Sequence, residues 1–277
     1  MNRLALMIGN ALVGNNEAAA ALELCLPPAV IRFDAMCFIA LTGSDCAARL
    51  EGATLRNGCS VVADAGMTLE LSHATRGARA YLCVAGGIDV PLVMGSRSTD
   101  LQTQMGGYSG RMIRRGDVLQ VRPADSLPRP ASIALPSTDG PIRAVAGPEF
   151  EEFAPETRAA FFEANWKVTP QSNRMGFRIA GPVLSSLTDR ELKSHAVFPG
   201  VIQVPKGGAP IVLMADAHTT GGYPRIATVI AADQWRLAQV PPGASIRFSL
   251  CTRTDAALAW TQQQTYLQEI RSSLHAN

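Results

Sequence analysis

At 277 residues, of which 47% are hydrophobic and 17% charged, the chain is long enough for a sizeable core and too apolar for long disordered tracts. Lys plus Arg number 25 against 23 for Asp plus Glu, a net of +2, and the arginines are scattered singly, so nucleic acid is not an expected partner. No run approaches membrane-spanning length, and the apolar stretch Leu4 to Ile8 stops before it could form a signal-peptide core, so a soluble cytoplasmic protein is expected.

The first element is a helix over residues 2–13, which puts Leu4, Met7, Ile8, Ala11 and Leu12 on one face, with Gly14 where a C-terminal cap belongs. Short β-like runs follow at Leu22–Leu26, Val30–Phe33, Cys37–Leu41, Ser60–Ala63, Leu69–Ser72 and Ala80–Ala85, divided by Gly, Asp and Asn, a spacing typical of a barrel or sandwich. Residues 122–141 hold five prolines and little apolar period, and read as a linker between an N-terminal β-rich lobe, 1–121, and a C-terminal one, 142–277. In the second lobe strands are expected at Ile142–Val145, Val201–Val204, Ile211–Ala215, Ile226–Ile230 and Ser245–Leu250, and a helix at Ala154–Glu163. A closing helix from Thr254 to Leu274 places Ala257, Trp260, Leu267, Ile270 and Leu274 on its apolar face. The fold class is therefore mainly β with a few helices, and no aligned internal repeat relates the lobes.

The six cysteines show no C-x-x-C spacing and read as reduced, buried thiols. Of the four histidines, His73 and His275 stand alone, His195 follows Glu191 at helical spacing, and His218 lies in the densest polar motif; no metal site is expected. Phosphate loops, dinucleotide fingerprints and nucleophile elbows are absent, and none of Lys167, Lys193 and Lys206 is flanked by the methionines of a biotin attachment sequence, so no covalent biotin is expected on this chain.

The densest motif runs from Ile211 to Arg225: an apolar strand delivers Asp216 to its end, followed by His218, Thr219, Thr220, Gly221, Gly222, Tyr223 and, after Pro224, Arg225. Asp216 is suited to orient or deprotonate an amide, the glycine amides to meet a carboxylate or oxyanion, and Arg225 to balance an anion. The competing interpretation is a polar turn in which Asp216 caps backbone N–H groups. A second cluster, Gln171 to Gly176, offers the Asn173 amide and the Arg174 fork, or else a surface turn. A third, Ala85 to Pro91 leading into Gly95–Asp100, brings Ser98 and Asp100, as suited to capping their own loop as to a ligand.

Four stretches together, Val84 to Pro91, Gly95 to Leu101, Ser172 to Arg178 and Asp216 to Ala227, resemble the family of bacterial 5-oxoprolinase C subunits. The wider group takes in the chains called allophanate hydrolase subunit 2, the antagonist of a sporulation kinase inhibitor, and the carboxyltransferase part of biotin-dependent urea carboxylase. The resemblance runs over nearly the whole chain. It implies two cyclophilin-like β-barrel lobes, a partner subunit of similar fold, a third lactam-hydrolase subunit, and ATP-driven opening of 5-oxoproline to glutamate, with ATP bound together with the partners, at an interface. For such a reaction the residues' own chemistry makes Asp216 and Asn173 the expected catalytic groups, and Arg174, Thr219, Thr220, Gly221, Gly222, Tyr223, Arg225, Ser98 and Asp100 the expected substrate contacts. A carboxyltransferase component working with carboxybiotin, or a regulatory antagonist, are the alternatives that the resemblance leaves open.

Departures from the pattern are His218 in place of the usual Gln, Tyr108–Ser109 in place of Leu–Glu, and Ala196 in place of Gly. Met1 aligns with an internal Met of the family, so a strand-bearing segment is expected to precede it in the native protein, and without that segment a sheet edge would be bared. An intact mass of 29.4 kDa for the native cellular protein would refute a misassigned start.

Overall fold

The computed structural model describes residues 1–124, 126–188 and 192–275. Two compact units emerge, one of residues 2–137 and 265–277, the other of Met1 and 138–264. Each is described by itself.

The first unit opens with α1 (Arg3–Leu12), whose first turn is capped by Asn2: its Oδ1 accepts the Ala5 N–H at 2.9 Å. Leu4, Ile8 and Leu12 are buried, as the helical period requires, and Gly14 follows the C-cap at φ 74°. Then come β1 (Leu22–Cys25), β2 (Ala29–Arg32), β3 (Cys37–Asp45), β4 (Arg49–Leu50), β5 (Ala53–Thr54), β6 (Cys59–Ala63), β7 (Thr68–Leu71) and β8 (Arg76–Val84). They pair as two four-stranded sheets, β1-β8-β3-β6 and β2-β7-β4-β5. Alternation sets the faces: Leu69 and Leu71 are buried and Glu70 between them is exposed. Helix α1 is tied to β3 by the Thr42 hydroxyl, which donates to the Ala5 carbonyl at 2.8 Å.

Within this unit the proline-rich run is anchored rather than loose. The residues between its prolines keep their N–H groups and bond across: Ile133 N–H donates to Gly58 O at 2.9 Å and Ala131 N–H to Ser60 Oγ at 3.0 Å, while Ala131 O accepts from Ser60 N–H at 2.9 Å. The six cysteines are free thiols. Cys46 and Cys83 are buried as expected, whereas Cys25, at the outer end of β1, is exposed.

The second unit contains β9 (Ile142–Ala146), α2 (Pro155–Glu163), β10 (Trp166–Val168), β11 (Gly176–Ala180), β12 (His195–Ala196), β13 (Val201–Gln203), β14 (Ile211–Leu213), β15 (Thr220–Gly221), β16 (Arg225–Val229), α3 (Gln234–Leu237), β17 (Ser245–Ile246) and β18 (Phe248–Leu250). Pro155 starts α2 at the position where its missing N–H costs nothing. Eight strands form one sheet in the order β17-β10-β11-β14-β13-β16-β9-β18. Its two edge strands are the halves of a single segment, 245–250, interrupted at Arg247, so the sheet curls to a near-barrel whose edges meet at one residue. The strand expected over Ser245–Leu250 is thus two strands, each pairing with a different neighbour.

The barrel is filled from both ends of the chain segment. Phe161 of α2 stacks on Phe248 with ring centroids 5.1 Å apart and lies 5.7 Å from Trp166, all three being fully buried. The Trp166 indole N–H donates to the Phe161 carbonyl at 2.8 Å, which fixes the ring. Gly181 passes over that ring so closely that a Cβ there would stand 2.7 Å from Trp166 Cε3. We expect Gly181→Ala to lose about 1–3 kcal/mol of stability, read as a lowered urea midpoint at unchanged slope, because a hydrogen-bonded, fully buried indole has nowhere to retreat.

The closing helix α4 (Arg253–His275) is present over the expected range, but its apolar face is partly corrected. Leu267 and Ile270 are buried; Trp260 is 45% exposed and Ala257 is also outside. In the helix's first turns the contact is made by Ala256 and Ala259, which pack against Ile230 and Ala232. No helix among the described residues is long and apolar enough to cross a membrane.

Candidate functional site

The loop before β11 and the loop after β14 leave the barrel side by side, because the two strands are antiparallel neighbours with Gly176 opposite Leu213 and Phe177 opposite Val212. The pairing continues beyond the strands: Met214 N–H meets Met175 O at 3.0 Å and Asp216 N–H meets Arg174 O at 2.9 Å. This juxtaposition joins the two clusters that the sequence singles out. Arg174 Nε donates to Asp216 Oδ2 at 2.7 Å and its Nη2 to Oδ1 at 3.1 Å, a bidentate pair across 42 residues. Both side chains are partly exposed, at 34% and 24%.

Asn173 stands beside them on the outside of the loop. Its Oδ1 accepts from Met175 N–H at 2.8 Å and from Gly176 N–H at 3.3 Å, an Asx turn that shapes the segment presenting Arg174. Asp216 does not cap backbone amides in the described hydrogen bonds; its two oxygens are engaged by the Arg174 fork.

At the far end of the motif, Arg225 begins β16. The pairing of β16 with β9 brings Glu149, just past β9, against it. Arg225 Nε and Nη2 bind the two Glu149 oxygens at 2.7 and 2.6 Å, and the Arg225 backbone N–H adds a third bond at 3.1 Å. Burial works to raise the Glu149 carboxyl; the Arg225 hydrogen bonds and charge, joined by His195, outweigh it and hold the group below its ordinary value. The anion that Arg225 balances in this structure is thus the internal carboxylate of Glu149.

In the chain between Asp216 and Arg225, β15 forms a two-stranded ribbon with β12, in which His195 faces Gly221 and Ala196 faces Thr220. Val197 N–H closes it on the Thr219 carbonyl at 2.9 Å. Thr219, Thr220, Gly222 and Tyr223 are on the outside, Tyr223 at 48% exposure. His195 is on a strand, not on a helix; Glu191, its expected helical neighbour, lies outside the described residues. Gly221 sits against the side chain of Gln203: a Cβ there would be 2.5 Å from Gln203 Nε2.

Ser98 and Asp100 belong to the other compact unit. Both are exposed. Asp100 Oδ1 accepts from Gln102 N–H at 2.9 Å and Thr103 N–H at 3.2 Å, and the Thr103 side-chain bond leads the causes that lower its carboxyl. Here the carboxylate organises its own loop. No trio of His, Cys, Asp or Glu among the described residues gathers as a metal ion would need.

Glu149, His195 and Gln203 were not among the expected site residues. Gln203 carried a legible signal, a polar amide inside the apolar run Val201–Val204; Glu149 carried none, since its partner is 76 residues away.

The family described as carboxyltransferase domain, subdomain A and B, matches residues 1–250. The C subunit of 5-oxoprolinase from Escherichia coli (strain K12) is 46% identical over 98% of this chain and 88% of that protein. Its counterpart in Haemophilus influenzae, also a 5-oxoprolinase C subunit, is 37% identical over 98% of this chain and 88% of that protein. Among solved structures, K. lactis urea amidolyase superposes with a TM-score of 0.90 at 29% identity, over 98% of this chain and 18% of that far longer one. On the family match and on the two near full-length relatives, this chain belongs to the family of carboxyltransferase domain, subdomain A and B, together with the 5-oxoprolinase C subunits.

Proposed function

We propose that the chain is the C subunit of an ATP-dependent 5-oxoprolinase, which converts 5-oxoproline, ATP and water to glutamate, ADP and phosphate and works only with its partner subunits. The observation that carries this reading is the 46% identity that extends over 98% of this chain and 88% of the E. coli 5-oxoprolinase C subunit. The reading includes a cytoplasmic location, a cyclophilin-like barrel architecture in both lobes, a partner of similar fold, and a third lactam-hydrolase subunit. For the second lobe, the curled eight-stranded sheet supports the barrel assignment.

In this reading Arg174, Asp216 and Asn173 form the rim against which the cyclic amide is oriented, and Thr219, Thr220, Gly222 and Tyr223 its outer wall. The residues of this site do not fit a triphosphate: Arg174 and Arg225 are each held by a carboxylate, so no uncompensated cationic cradle is formed. ATP is therefore assigned to the partners, and this chain's part is to bind and orient the amide.

The test is reconstitution. The three subunits together are expected to release glutamate and ADP from 5-oxoproline and ATP, and omission of this chain to abolish both. Absence of glutamate, with carboxylated product appearing only after biotin carrier and bicarbonate are added, would place the chain with the urea carboxylases, to whose structures it is also similar.

A further inference from the structure

Between β8 and β9 the chain runs from residue 85 to residue 141 without a helix or strand among the described residues, well beyond the ordinary length of a connection. Its first part is nonetheless a closed body within the first unit. Ile88 bridges to Val121, Asp89 N–H donates to Gln120 O at 2.8 Å and Arg122 N–H to Gly87 O at 3.1 Å, so the two ends are pinned together. Inside, backbone packs on backbone: a Cβ on Gly106 would stand 2.5 Å from the Ser98 carbonyl oxygen, and one on Gly110 1.9 Å from that of Gln104. Arg111 lies 4.9 Å over the Tyr108 ring and grips Asp117 at 2.7 and 2.8 Å, which ties the following turn to the same body. An interior closed by glycines has no room for large apolar side chains, and Leu92, Met94, Met105, Met112, Ile113 and Val118 are all exposed.

Met94 is the extreme case. Val93 and Ser96 exchange both backbone hydrogen bonds, at 2.8 and 2.9 Å, around a two-residue turn of Met94 and Gly95, which have φ 49° and 78°. A hairpin turn with both central residues left-handed favours Asn-Gly. Here methionine takes the first place against its backbone preference, and it is 94% exposed, so neither the turn nor the core gains by it. In the same body a hollow of about 450 Å³ opens between Val90–Pro91 and Gly106–Gly110. The acidic side chains are engaged within the loop: Asp100 on the N–H groups of Gln102 and Thr103, and Asp117 on Arg111. Arg114 and Arg115 are exposed, and their guanidinium groups enter no described hydrogen bond or ion pair. The surface is therefore apolar, rich in Met and Arg, and basic at its edge, as the buried part and rim of a protein interface are.

We propose that residues 92–118 form the surface through which this chain docks on a partner subunit of the 5-oxoprolinase, one that presents an apolar face edged by carboxylates. Met94 at the turn tip is the anchor, and the hollow beside Gly106–Gly110 receives an apolar side chain of the partner. Methionine suits the task because an unbranched thioether shapes itself to an irregular opposing face. A twofold contact with a second copy is disfavoured, since it would bring two basic edges together. Ser98 and Asp100 then belong to the scaffold of this surface rather than to the substrate. The inference rests on the 5-oxoprolinase reading for the identity of the partner.

The test is the dissociation constant of the full chain from its two partner subunits, read by titrating a labelled chain. Met94→Asn should hold or raise the thermal midpoint, because asparagine suits the turn, yet weaken assembly about 30-fold. Arg114→Glu combined with Arg115→Glu should weaken it about as much and remove most of its sensitivity to salt. At saturating concentrations of the chain both variants should release glutamate at the wild-type kcat, as a loss of docking alone requires. Leu258→Asp, on the exposed side of α4, is the control and should assemble as wild type does. Wild-type affinity in either variant would overturn the proposal. So would unchanged assembly accompanied by lost binding to phosphatidylglycerol vesicles, or by lost self-association in sedimentation, which would give the surface to a membrane or to a second copy. A wild-type chain that neither assembles nor supports glutamate release would instead remove the functional reading, so the wild-type arm tells the two failures apart.

Discussion

Replacing Asp216 by alanine is expected to lower kcat/KM of the assembled enzyme about 100-fold, the scale on which a misplaced binding group reduces rate, while the chain's stability changes by no more than about 1 kcal/mol. The small stability effect follows from exposure, since the two partners of the pair are 34% and 24% accessible and solvent screens much of their attraction. The large activity effect follows from geometry. Asp216 takes the Nε–Nη2 edge of Arg174 and so fixes how two neighbouring loops present their side chains. Arg174→Ala should cost about as much, and the double variant little more than either, because residues acting as one unit do not add. Arg174→Lys should recover little, since an ammonium cannot reproduce the planar fork. Fully additive losses would show that the two residues serve separate purposes; the measurement is steady-state kinetics of the reconstituted complexes, with thermal melts as the stability control.

Asp233→Ala is expected to be the most destabilising single charge change in the chain, at about 3–5 kcal/mol in urea unfolding. Asp233 is only 2% exposed at its side chain and binds two arginines: Arg143 through Nε at 3.0 Å and Nη2 at 2.7 Å, and Arg236 Nη1 at 3.2 Å. Arg236 also donates to the carbonyls of Thr138, Asp139, Gly140 and Pro141, so the carboxylate holds the cation that gathers the approach to β9. Burial by itself would raise the Asp233 carboxyl, but the hydrogen bonds and charge of Arg143, with the charge of Arg236, hold it below its ordinary 3.8. A group depressed in this way contributes its full stability above the ordinary value and loses it as pH falls through the folded one. Wild-type stability should therefore drop on acidification below about pH 4, and Asp233→Asn should flatten that part of the profile because its contribution is already gone. An equally steep acid decline in Asp233→Asn would assign the effect to other carboxylates, Glu149 first.

Elements with a long period were legible in the sequence, and those made by pairing alone were not. Helix α1 and the strands from Leu22 to Val84 that alternation or a cap marks lie within a few residues of their expected places. Strands β4, β5, β12 and β15 have two residues apiece, too few for any period, and exist only through their partners. The site divides in the same way. Asp216, Asn173 and Arg174 were visible as polar residues at strand ends, but that Arg174 meets Asp216, and that Arg225 meets Glu149 rather than a ligand, depends on strand order. Trp260 misled for another reason: its position on the helical face is sound, yet close contact in that part of α4 is made by alanines.

The junction at Arg247 also bears on how the protein comes to be folded. β18 pairs with β9 and β17 with β10, joining Phe248 to Ile142 and Ile246 to Trp166 across long stretches of chain, so contact order in this barrel is high and slow closure is expected. During synthesis, β9 and β10 must wait with open hydrogen-bonding edges until the segment from Ser245 to Leu250 has left the ribosome. In that interval the nascent chain is most exposed to edge-to-edge aggregation, and a chaperone would have its longest opportunity to bind.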